Sequence, residues 1–467
     1  SQGFGTDMRN RLYAHIQTFS YQDIDHFTTS SLVNRLSSDV NQLQLAVAML
    51  IRLVVRAPFI IIGAIVMAMI LDFQLSLILV AAVPFISLIL YLFIRFSTPL
   101  YRQYQKRLDQ FARVLQDNFA GIRVVRAFVS QRRERQRAEA HIDDLQMQMM
   151  KIARLSSLLN PLTALVLNMA VVLLLYQGVW QIGEGMIAPG VIVAFINYAA
   201  SILTALVALS NLIVIFTRAA ASAQRVNEVL DHVPSMRDGE DRVLHLCPQE
   251  AIRFDHVCFS YGEGEDALSD LDLTIRTGEC IGIIGGTGAG KTTMIHLLSR
   301  FYDTGKGRVL LYGQDVRTIA HQKLCAEVVS VPQINELFYG TIRENVCFGK
   351  KHVSDADIWQ ALQDAQAADF VKEMKKGLDA RVERGGANLS GGQRQRLCIA
   401  RALLRKPSIL ILDDSCSALD FKTDAALRHA LRKHYGDSTR LIVSQGVSTL
   451  LSCDRRVVLE DGRMAGF

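Results

Sequence analysis

Four long apolar runs lie in the first half of the chain, and polar connections of very different lengths separate them. The runs cover residues 53–71, 75–97, 162–182 and 191–216. Each is about long enough to cross a lipid bilayer as a helix. Buried helices of a large soluble core are the alternative, but four runs of this length favour membrane spans. The pattern therefore predicts a lipid bilayer as one partner of this chain.

The charges between the runs predict an orientation. The short turns at 72–74 and 183–190 contain no Lys or Arg, whereas the long connection from Thr98 to Asn160 is rich in both. Lys and Arg accumulate on the cytoplasmic side of membrane proteins. We therefore expect a multi-pass protein of the cytoplasmic membrane, with the long connection inside and the short turns outside.

Helical periodicity continues beyond the apolar runs. From Asp109 to Lys151 the pattern predicts two helices that meet near residues 128–130. The pattern from Ser1 to Val40 predicts a helix to Phe19, a break near residues 25–27, and another helix that leads into the first span. The periodicity therefore predicts long helical extensions on the cytoplasmic side.

The second half of the chain has the pattern of a soluble α/β domain. The polar segment 234–249 is taken as a linker between a membrane domain, 1–233, and a second domain, 250–467, and a length of 467 residues also favours two domains. All eight cysteines lie in this half without a CxxC pair, which indicates a reduced cytosolic domain. The net charge of +6 gives no case for a nucleic acid partner, because the positive residues cluster beside the apolar runs.

A glycine-rich loop follows the apolar, β-branched segment Glu279–Ile284. It has the P-loop pattern G-x-x-x-x-G-K-[ST] between a predicted strand and a predicted helix. Backbone N–H groups of such a loop surround phosphates, and the helix N-terminus adds partial positive charge. Lys291 is expected to reach the β- and γ-phosphates and the Thr292 hydroxyl to bind Mg²⁺. The residues expected to bind nucleotide here are Gly285, Gly286, Thr287, Gly288, Ala289, Gly290, Lys291, Thr292 and Thr293.

Two further motifs follow the loop. Ile409 to Asp413 predicts a buried strand that ends in a carboxylate, the Walker B pattern, which places Asp413 on Mg²⁺. The second motif, Leu-Ser-Gly-Gly-Gln at residues 389–393, lies between the glycine-rich loop and this strand. This pentapeptide matches the signature of ATP-binding cassette (ABC) proteins, and the whole chain resembles one half of an ABC exporter. The resemblance implies an α-helical transmembrane domain with long cytoplasmic helix extensions, followed by an α/β P-loop ATPase domain with a helical signature subdomain.

The resemblance also assigns roles to matching positions. Tyr261 is similar to the aromatic residue that stacks on adenine, and Gln333 is similar to the glutamine that contacts Mg²⁺ and senses the γ-phosphate of ATP. In this family two ATPase domains meet head to tail, and each ATP lies between one P-loop and the other chain's signature. The signature residues that would contact the partner's ATP are Ser390, Gly391, Gly392 and Gln393.

Three further segments have family counterparts outside the phosphate site. Residues 417–420 resemble the D-loop, residues 24–27 the first coupling helix, and residues 128–132 the second. In the family, coupling helices connect the membrane spans to the ATPase domains.

Two positions depart from the family pattern. The residue after Asp413 is Asp414, where the family has a glutamate that positions or deprotonates the attacking water. The family's switch histidine corresponds to Gln445, which can donate a hydrogen bond but cannot carry a proton. Loss of well-placed general-base chemistry typically costs about 10²–10⁴ in rate. Both changes affect hydrolysis, whereas the binding residues are intact.

These departures imply a subunit whose own ATP site is slow and whose signature completes the site of a second, different half-transporter. A homodimeric exporter with an Asp-dependent site and a non-transporting regulatory subunit remain as alternatives. The spans show no distinctive ligand chemistry, so drugs, lipids and peptides all stay open as the transported substrate. The chain starts within a predicted helix, and it stops at Phe467, soon after Asp461 and Gly462, where the family it resembles continues. We therefore expect the native chain to extend beyond both ends.

Overall fold

The computed structural model describes residues 1–240, 249–262, 264–350, 352–415, 419–444 and 450–466. Contacts between residues divide the chain into two units. One unit comprises Ser1–Gln17 and Thr29–His232, and the other comprises Thr18–Thr28 and Val233–Phe467. The chain therefore contributes a short early segment, residues 18–28, to the unit that contains its second half.

The first part of the chain is helical. Its helices are α1 (Gln2–Ile16), α2 (Tyr21–Phe27), α3 (Thr29–Asn34), α4 (Val40–Met49), α5 (Arg56–Leu71), α6 (Phe73–Ala120), α7 (Ile122–Ala127), α8 (Gln131–Ser157), α9 (Leu159–Gly183) and α10 (Pro189–Leu230). Two π-helical turns, Arg35–Asp39 and Leu50–Val54, join α3, α4 and α5. All of these except α2 belong to the first unit.

Four helices of the described chain are long and apolar enough to cross a membrane. They are Thr29–Leu71, Phe73–Ala120, Gln131–Gly183 and Pro189–Leu209. Leu75, Leu174 and Phe195 are fully buried where α6, α9 and α10 pack together. Tyr176 and Trp180 expose 82% and 68% of their surface, which suits a lipid-facing position. The helical membrane domain predicted from the apolar runs is confirmed.

Charged side chains pair where α10 leaves the apolar part of the bundle. Asp39 is 2% exposed and accepts hydrogen bonds from Arg225 Nε and Ser222 Oγ, both at 2.9 Å. Arg35 is paired with Glu228 at 2.9 Å. A buried carboxylate requires such partners, because desolvation penalises an isolated charge by several kcal/mol. These pairs connect the π-helical turn Arg35–Asp39 to α10.

The segment between α1 and α3 differs from its prediction. The helix expected to reach Phe19 ends at Ile16, and α2 occupies the position of the break expected near residues 25–27. Ser20 and Asp23 form a capping box that begins α2, with the Asp23 N–H donating to Ser20 Oγ at 3.2 Å. Thr28 ends α2 with a φ of 62°. The breaks therefore lie on either side of α2.

The second unit is an α/β fold. Its strands are β1 (Glu250–Phe259), β2 (Leu268–Arg276), β3 (Cys280–Gly285), β4 (Lys306–Leu311), β5 (Gln314–Asp315), β6 (Val328–Val331), β7 (Gly340–Thr341), β8 (Arg381–Val382), β9 (Ile409–Asp413), β10 (Thr439–Val443), β11 (Arg455–Glu460) and β12 (Arg463–Gly466). Its helices after α2 are α11 (Lys291–Leu298), α12 (His321–Glu327), α13 (Ile342–Val346), α14 (Asp355–Asp364), α15 (Ala368–Glu373), α16 (Gly391–Leu403) and α17 (Phe421–His434).

The larger sheet determines where chemistry can occur. Its order is β12-β11-β3-β10-β9-β6, and all neighbouring pairs except β12 with β11 are parallel. A second sheet, β2-β1-β4-β5, packs through a shared core with one face of these strands. Ligands of open parallel sheets bind beyond the carboxyl ends of the strands. The carboxyl ends of β3, β6, β9 and β10 are therefore the expected location of the site.

Candidate functional site

The P-loop connects β3 to α11, as its sequence pattern predicted. Gly288 and Gly290 have φ values of 84° and 93°, in the region that glycine adopts without strain. A Cβ at Gly290 would lie 2.7 Å from the Ala267 carbonyl oxygen, so no other residue fits without displacement. The Lys291 ammonium donates to the carbonyl oxygens of Gly285 and Gly286 at 2.8 and 2.6 Å. The loop thus holds its own lysine over the phosphate-binding backbone.

Thr292 and Asp413 meet beside the loop. The Thr292 hydroxyl donates to Asp413 Oδ2 at 3.2 Å, and Asp413 is 5% exposed at the end of the fully buried strand β9. Burial raises the pKa of the Asp413 carboxyl, and the hydrogen bond from Thr292 acts in the opposite direction. These hard oxygen ligands fit Mg²⁺, which usually takes one or two carboxylates and completes its shell with water and phosphate oxygens.

Asp414 lies next to this pair. Its backbone N–H donates to the Val443 carbonyl at 3.0 Å, and its φ is 45°, which is uncommon for a residue other than glycine. Burial raises the pKa of the Asp414 carboxyl, and the positive charge of Lys291 opposes the rise. The Gln395 amide lies 3.5 Å from the Asp414 carbonyl oxygen. Asp414 therefore directly follows β9, and its backbone is bonded to the end of the neighbouring strand β10.

Several of the residues predicted to bind phosphate and Mg²⁺ line one cavity of about 120 Å³. Its lining is Thr287, Gly288, Lys291, Thr292, Gln333, Asp413, Asp414, Val443 and Ser444. The structure thus brings Gln333, which follows β6, to the same place as the P-loop and the two aspartates. Among the described residues, no group of three or more His, Cys, Asp or Glu side chains could hold a metal alone. Mg²⁺ held by Thr292 and Asp413 would complete its shell with water and phosphate oxygens.

The signature residues stand apart from this cavity, because they begin α16. Ser390 caps the helix: its Oγ accepts from the Gln393 N–H at 3.2 Å, and its own N–H donates to Gln393 Oε1 at 2.9 Å. The motif is therefore a capping box, and its glycines occupy the first helical turn. The N–H groups of such a turn provide a ready site for an anion.

Tyr261 lies after β1 and is 47% exposed. Its hydroxyl donates to Thr293 Oγ1 at 3.3 Å and lies 3.3 Å from His296 Nδ1. Phe259 and Tyr302 contact its ring edge to face, with centroids at 4.9 and 5.2 Å. Its ring therefore stands beside the P-loop helix α11, where the base of a nucleotide held by that loop would be expected.

The early segment α2 packs on the same region of the second unit. The Tyr302 hydroxyl donates to Asp25 Oδ2 at 2.7 Å, and the rings of Tyr21 and Phe301 stack with centroids at 4.5 Å. The segment expected to be the second coupling helix lies in the other unit. There Phe128 and Val129, between α7 and α8, expose 77% and 79% of their surface.

Some functional residues were missed by sequence reasoning, and others cannot be placed. Ser444 lines the cavity because it follows β10, and its place directly before the switch position Gln445 was the sequence signal that could have found it. His296 has no motif that indicates its contact with Tyr261. Gln445, the switch position, and Ser417 and Ala418 of the predicted D-loop lie outside the described residues.

Comparisons with known proteins agree with this geometry. Residues 1–207 match the profile of the ABC transporter transmembrane region, and residues 268–417 match the ABC transporter profile. An uncharacterized ABC transporter ATP-binding protein of Bacillus subtilis, YfiB, is 37% identical over 99% of this chain and 80% of its own length. The chain belongs to the ABC transporter family. The ATP-dependent lipid A-core flippase of Yersinia pestis is 32% identical, over 98% of this ABC transporter chain and 78% of its own.

The structural comparison supports the same fold. A bacterial Atm1-family ABC exporter with ATP bound superposes with a TM-score of 0.83, at 24% identity, over 100% of this chain and 82% of that one. The fold is thus that of ABC exporters. By its two family matches the chain is an ABC transporter with fused membrane and ATPase domains, and it lies in the cell membrane with its ATPase domain in the cytosol. It is an ATPase that couples ATP to transport.

Proposed function

We propose that this chain is one subunit of a heterodimeric ABC exporter, and that its own ATP site hydrolyses slowly. The observation that carries the proposal is Asp414 beside Asp413 in the P-loop cavity. At this position the family pattern has glutamate. The aspartate is one methylene shorter, so it stops short of a water placed for glutamate. Lys291, Thr292 and Asp413 have the family's residue types and line one cavity with Gln333, which supports binding of ATP and Mg²⁺.

Within this site each group would have a distinct role. Lys291 neutralises charge on the β- and γ-phosphates, and the P-loop N–H groups hold them in place. Thr292 and Asp413 would hold Mg²⁺, which would neutralise negative charge on the phosphates. Tyr261 would stack on adenine. Binding is therefore complete in this half, whereas activation of water is weakened.

The signature supports the second half of the proposal. Ser390 and Gln393 cap α16 with both hydrogen bonds in place, so the motif is pre-formed to receive a phosphate. A Cβ at Gly391 would meet no atom within 4 Å. The surface around Gly391 is therefore open to a phosphate held by a second half-transporter. That partner would carry the family's catalytic glutamate and switch histidine, and its site would hydrolyse ATP.

Two substitutions test the asymmetry in the purified complex. Gly391→Asp places a carboxylate against the partner's γ-phosphate, and like charges repel strongly at short range in a low dielectric. We expect steady-state ATPase activity to fall by about tenfold or more for a repulsion above roughly 1.4 kcal/mol. Asp414→Asn should change the rate by less than about twofold, because the slow site contributes little turnover. Gly391→Ala is the matched control, since it adds the Cβ without the charge.

The outcomes separate the candidate assemblies. In a homodimer Asp414 is the hydrolytic carboxylate of every site, so Asp414→Asn would cost about 10²–10⁴ in rate. Equal damage from Asp414→Asn and Gly391→Asp therefore contradicts the heterodimer. A second half-transporter of different mass should also co-purify with this chain. A complex that hydrolyses ATP without moving any substrate would support the regulatory alternative.

A further inference from the structure

The hydroxyl of Tyr261 is held from the P-loop helix. It donates to Thr293 Oγ1 and lies 3.3 Å from His296 Nδ1. A phenol has one proton to donate and oxygen lone pairs to accept. Because the Tyr261 hydroxyl donates its proton to the bond with Thr293, its oxygen accepts a hydrogen bond from the Nδ1–H of His296. Both partners lie on α11, which begins with the phosphate-binding Lys291.

His296 is itself held by aromatic neighbours. Its ring lies 5.6 Å from Phe301 and 5.9 Å from Tyr302, and Tyr302 contacts Tyr261 edge to face at 5.2 Å. Thr293 and Tyr302 are 7% and 9% exposed. Tyr261 is thus the exposed member of an otherwise well-covered cluster, and its ring direction depends on buried neighbours.

We propose that His296, together with Thr293, positions Tyr261 for stacking on the adenine base. The inference rests on the proposed role of Tyr261 as the base-stacking residue. His296 is a positioning residue, because it acts through Tyr261 and does not reach the phosphates. A ring that is fixed before ATP arrives loses less conformational freedom on binding. The anchor also fixes the distance between base and phosphates, since Thr293 and Lys291 belong to the same helix.

The test separates the base from the phosphates. Two probes are titrated at equilibrium into the purified, intact complex: ATP, and inorganic tripolyphosphate, which has no base. The part of the ATP binding that is lost in Lys291→Ala is assigned to this chain's own site. Loss of one hydrogen bond to a positioned group should weaken ATP binding by about two- to tenfold. We therefore expect that loss for His296→Leu and for Tyr261→Phe, with tripolyphosphate affinity unchanged.

A double variant identifies the route. If His296 acts only through the Tyr261 hydroxyl, His296→Leu adds no further loss in a Tyr261→Phe background. His296→Gln keeps a side-chain N–H donor and should recover part of the ATP affinity. Equal losses for ATP and tripolyphosphate would show a general disturbance of the P-loop and overturn the inference. Additive losses in the double variant would overturn it as well.

A further variant, Tyr261→Ala, distinguishes failure of the positioning role of His296 from failure of the proposed base-stacking role of Tyr261. If Tyr261→Ala leaves ATP affinity unchanged, the tyrosine does not stack on the base and its proposed role fails. If Tyr261→Ala weakens ATP binding while Tyr261→Phe and His296→Leu do not, stacking stands. The ring then needs no anchor, and only the role of His296 is overturned.

Discussion

The Tyr302 hydroxyl donates a 2.7 Å hydrogen bond to the Asp25 carboxylate, across 277 positions of sequence. Tyr302 is buried, and burial together with the negative charge of Asp25 raises the pKa of its phenol. The phenol therefore stays protonated and keeps donating at any physiological pH. The bond and the neighbouring stack of Tyr21 on Phe301 fasten α2 to the ATPase fold.

Removing this bond should loosen α2. A hydrogen bond to a charged group contributes about 1.5–3 kcal/mol, so Tyr302→Phe should speed amide exchange in residues 21–27 by about tenfold or more. Hydrogen–deuterium exchange of the purified complex measures this directly. Tyr435→Phe is the matched control, because it removes a buried hydroxyl that bonds to Leu403 within the ATPase core. Unchanged exchange in residues 21–27 would show that stacking alone holds α2.

Lys291→Ala should weaken ATP binding at this chain's own site. The phosphates lose a cation and a charge-assisted donor, each such bond contributing about 1.5–3 kcal/mol, so affinity should fall at least about tenfold. Lys306→Ala, at an exposed position on β4, is the control for loss of a positive charge. Equal ATP occupancy of that site in Lys291→Ala and the parent would contradict the P-loop assignment.

Ser390 and Ser354 separate helix capping from signature function. Both hydroxyls cap a helix, α16 and α14, and Ser354 accepts from the Asp357 N–H at 3.1 Å. Replacing either by Ala should lower stability by about 1 kcal/mol. Only Ser390→Ala should also lower the ATPase rate, because only α16 begins with the signature. Thermal unfolding and steady-state ATPase assays give the two readouts, and equal rates for both variants would refute the distinction.

His296 should make the ATPase unit sensitive to acid. Burial lowers the pKa of its imidazole below the ordinary value of 6.5, against an opposing effect of the Asp25 carboxylate; Tyr261 and Tyr302 are the other titratable neighbours. Below 6.5 the unfolded chain therefore binds more protons than the folded one, and stability falls as pH falls. The melting temperature of His296→Leu should fall less between pH 7.5 and 5.5 than that of the parent. Equal falls would place the acid sensitivity elsewhere.

The local parts of this structure followed from sequence. The strand predicted at Ile409–Asp413 has those bounds in β9, and α11 begins at Lys291 as expected. Both are short, strongly patterned segments whose conformation depends on neighbouring residues. The apolar runs were likewise predictable as helices from local sequence, because a bilayer requires backbone hydrogen bonds to be satisfied within each helix.

Contacts between distant segments were not predictable in this way. The resemblance of residues 24–27 to a coupling helix indicated a contact with the ATPase domain, but it did not identify Tyr302 and Phe301 as the partners, because they lie far along the chain. The capping pattern of Ser20 and Asp23 is a usable local signal for the start of α2. The anchor of Tyr261 on His296 depends on β1 and α11 being brought together by the sheets.

The grouping of residues 18–28 with the ATPase fold has a practical meaning for anyone who works with that fold in isolation. A fragment that begins at Val233 includes every strand of both sheets, yet it omits the α2 side chains that cover Phe301 and pair with Tyr302. Such a fragment would present an uncovered aromatic face to solvent, and large exposed apolar patches favour self-association. A peptide of residues 18–28, added in trans, is the natural complement for it.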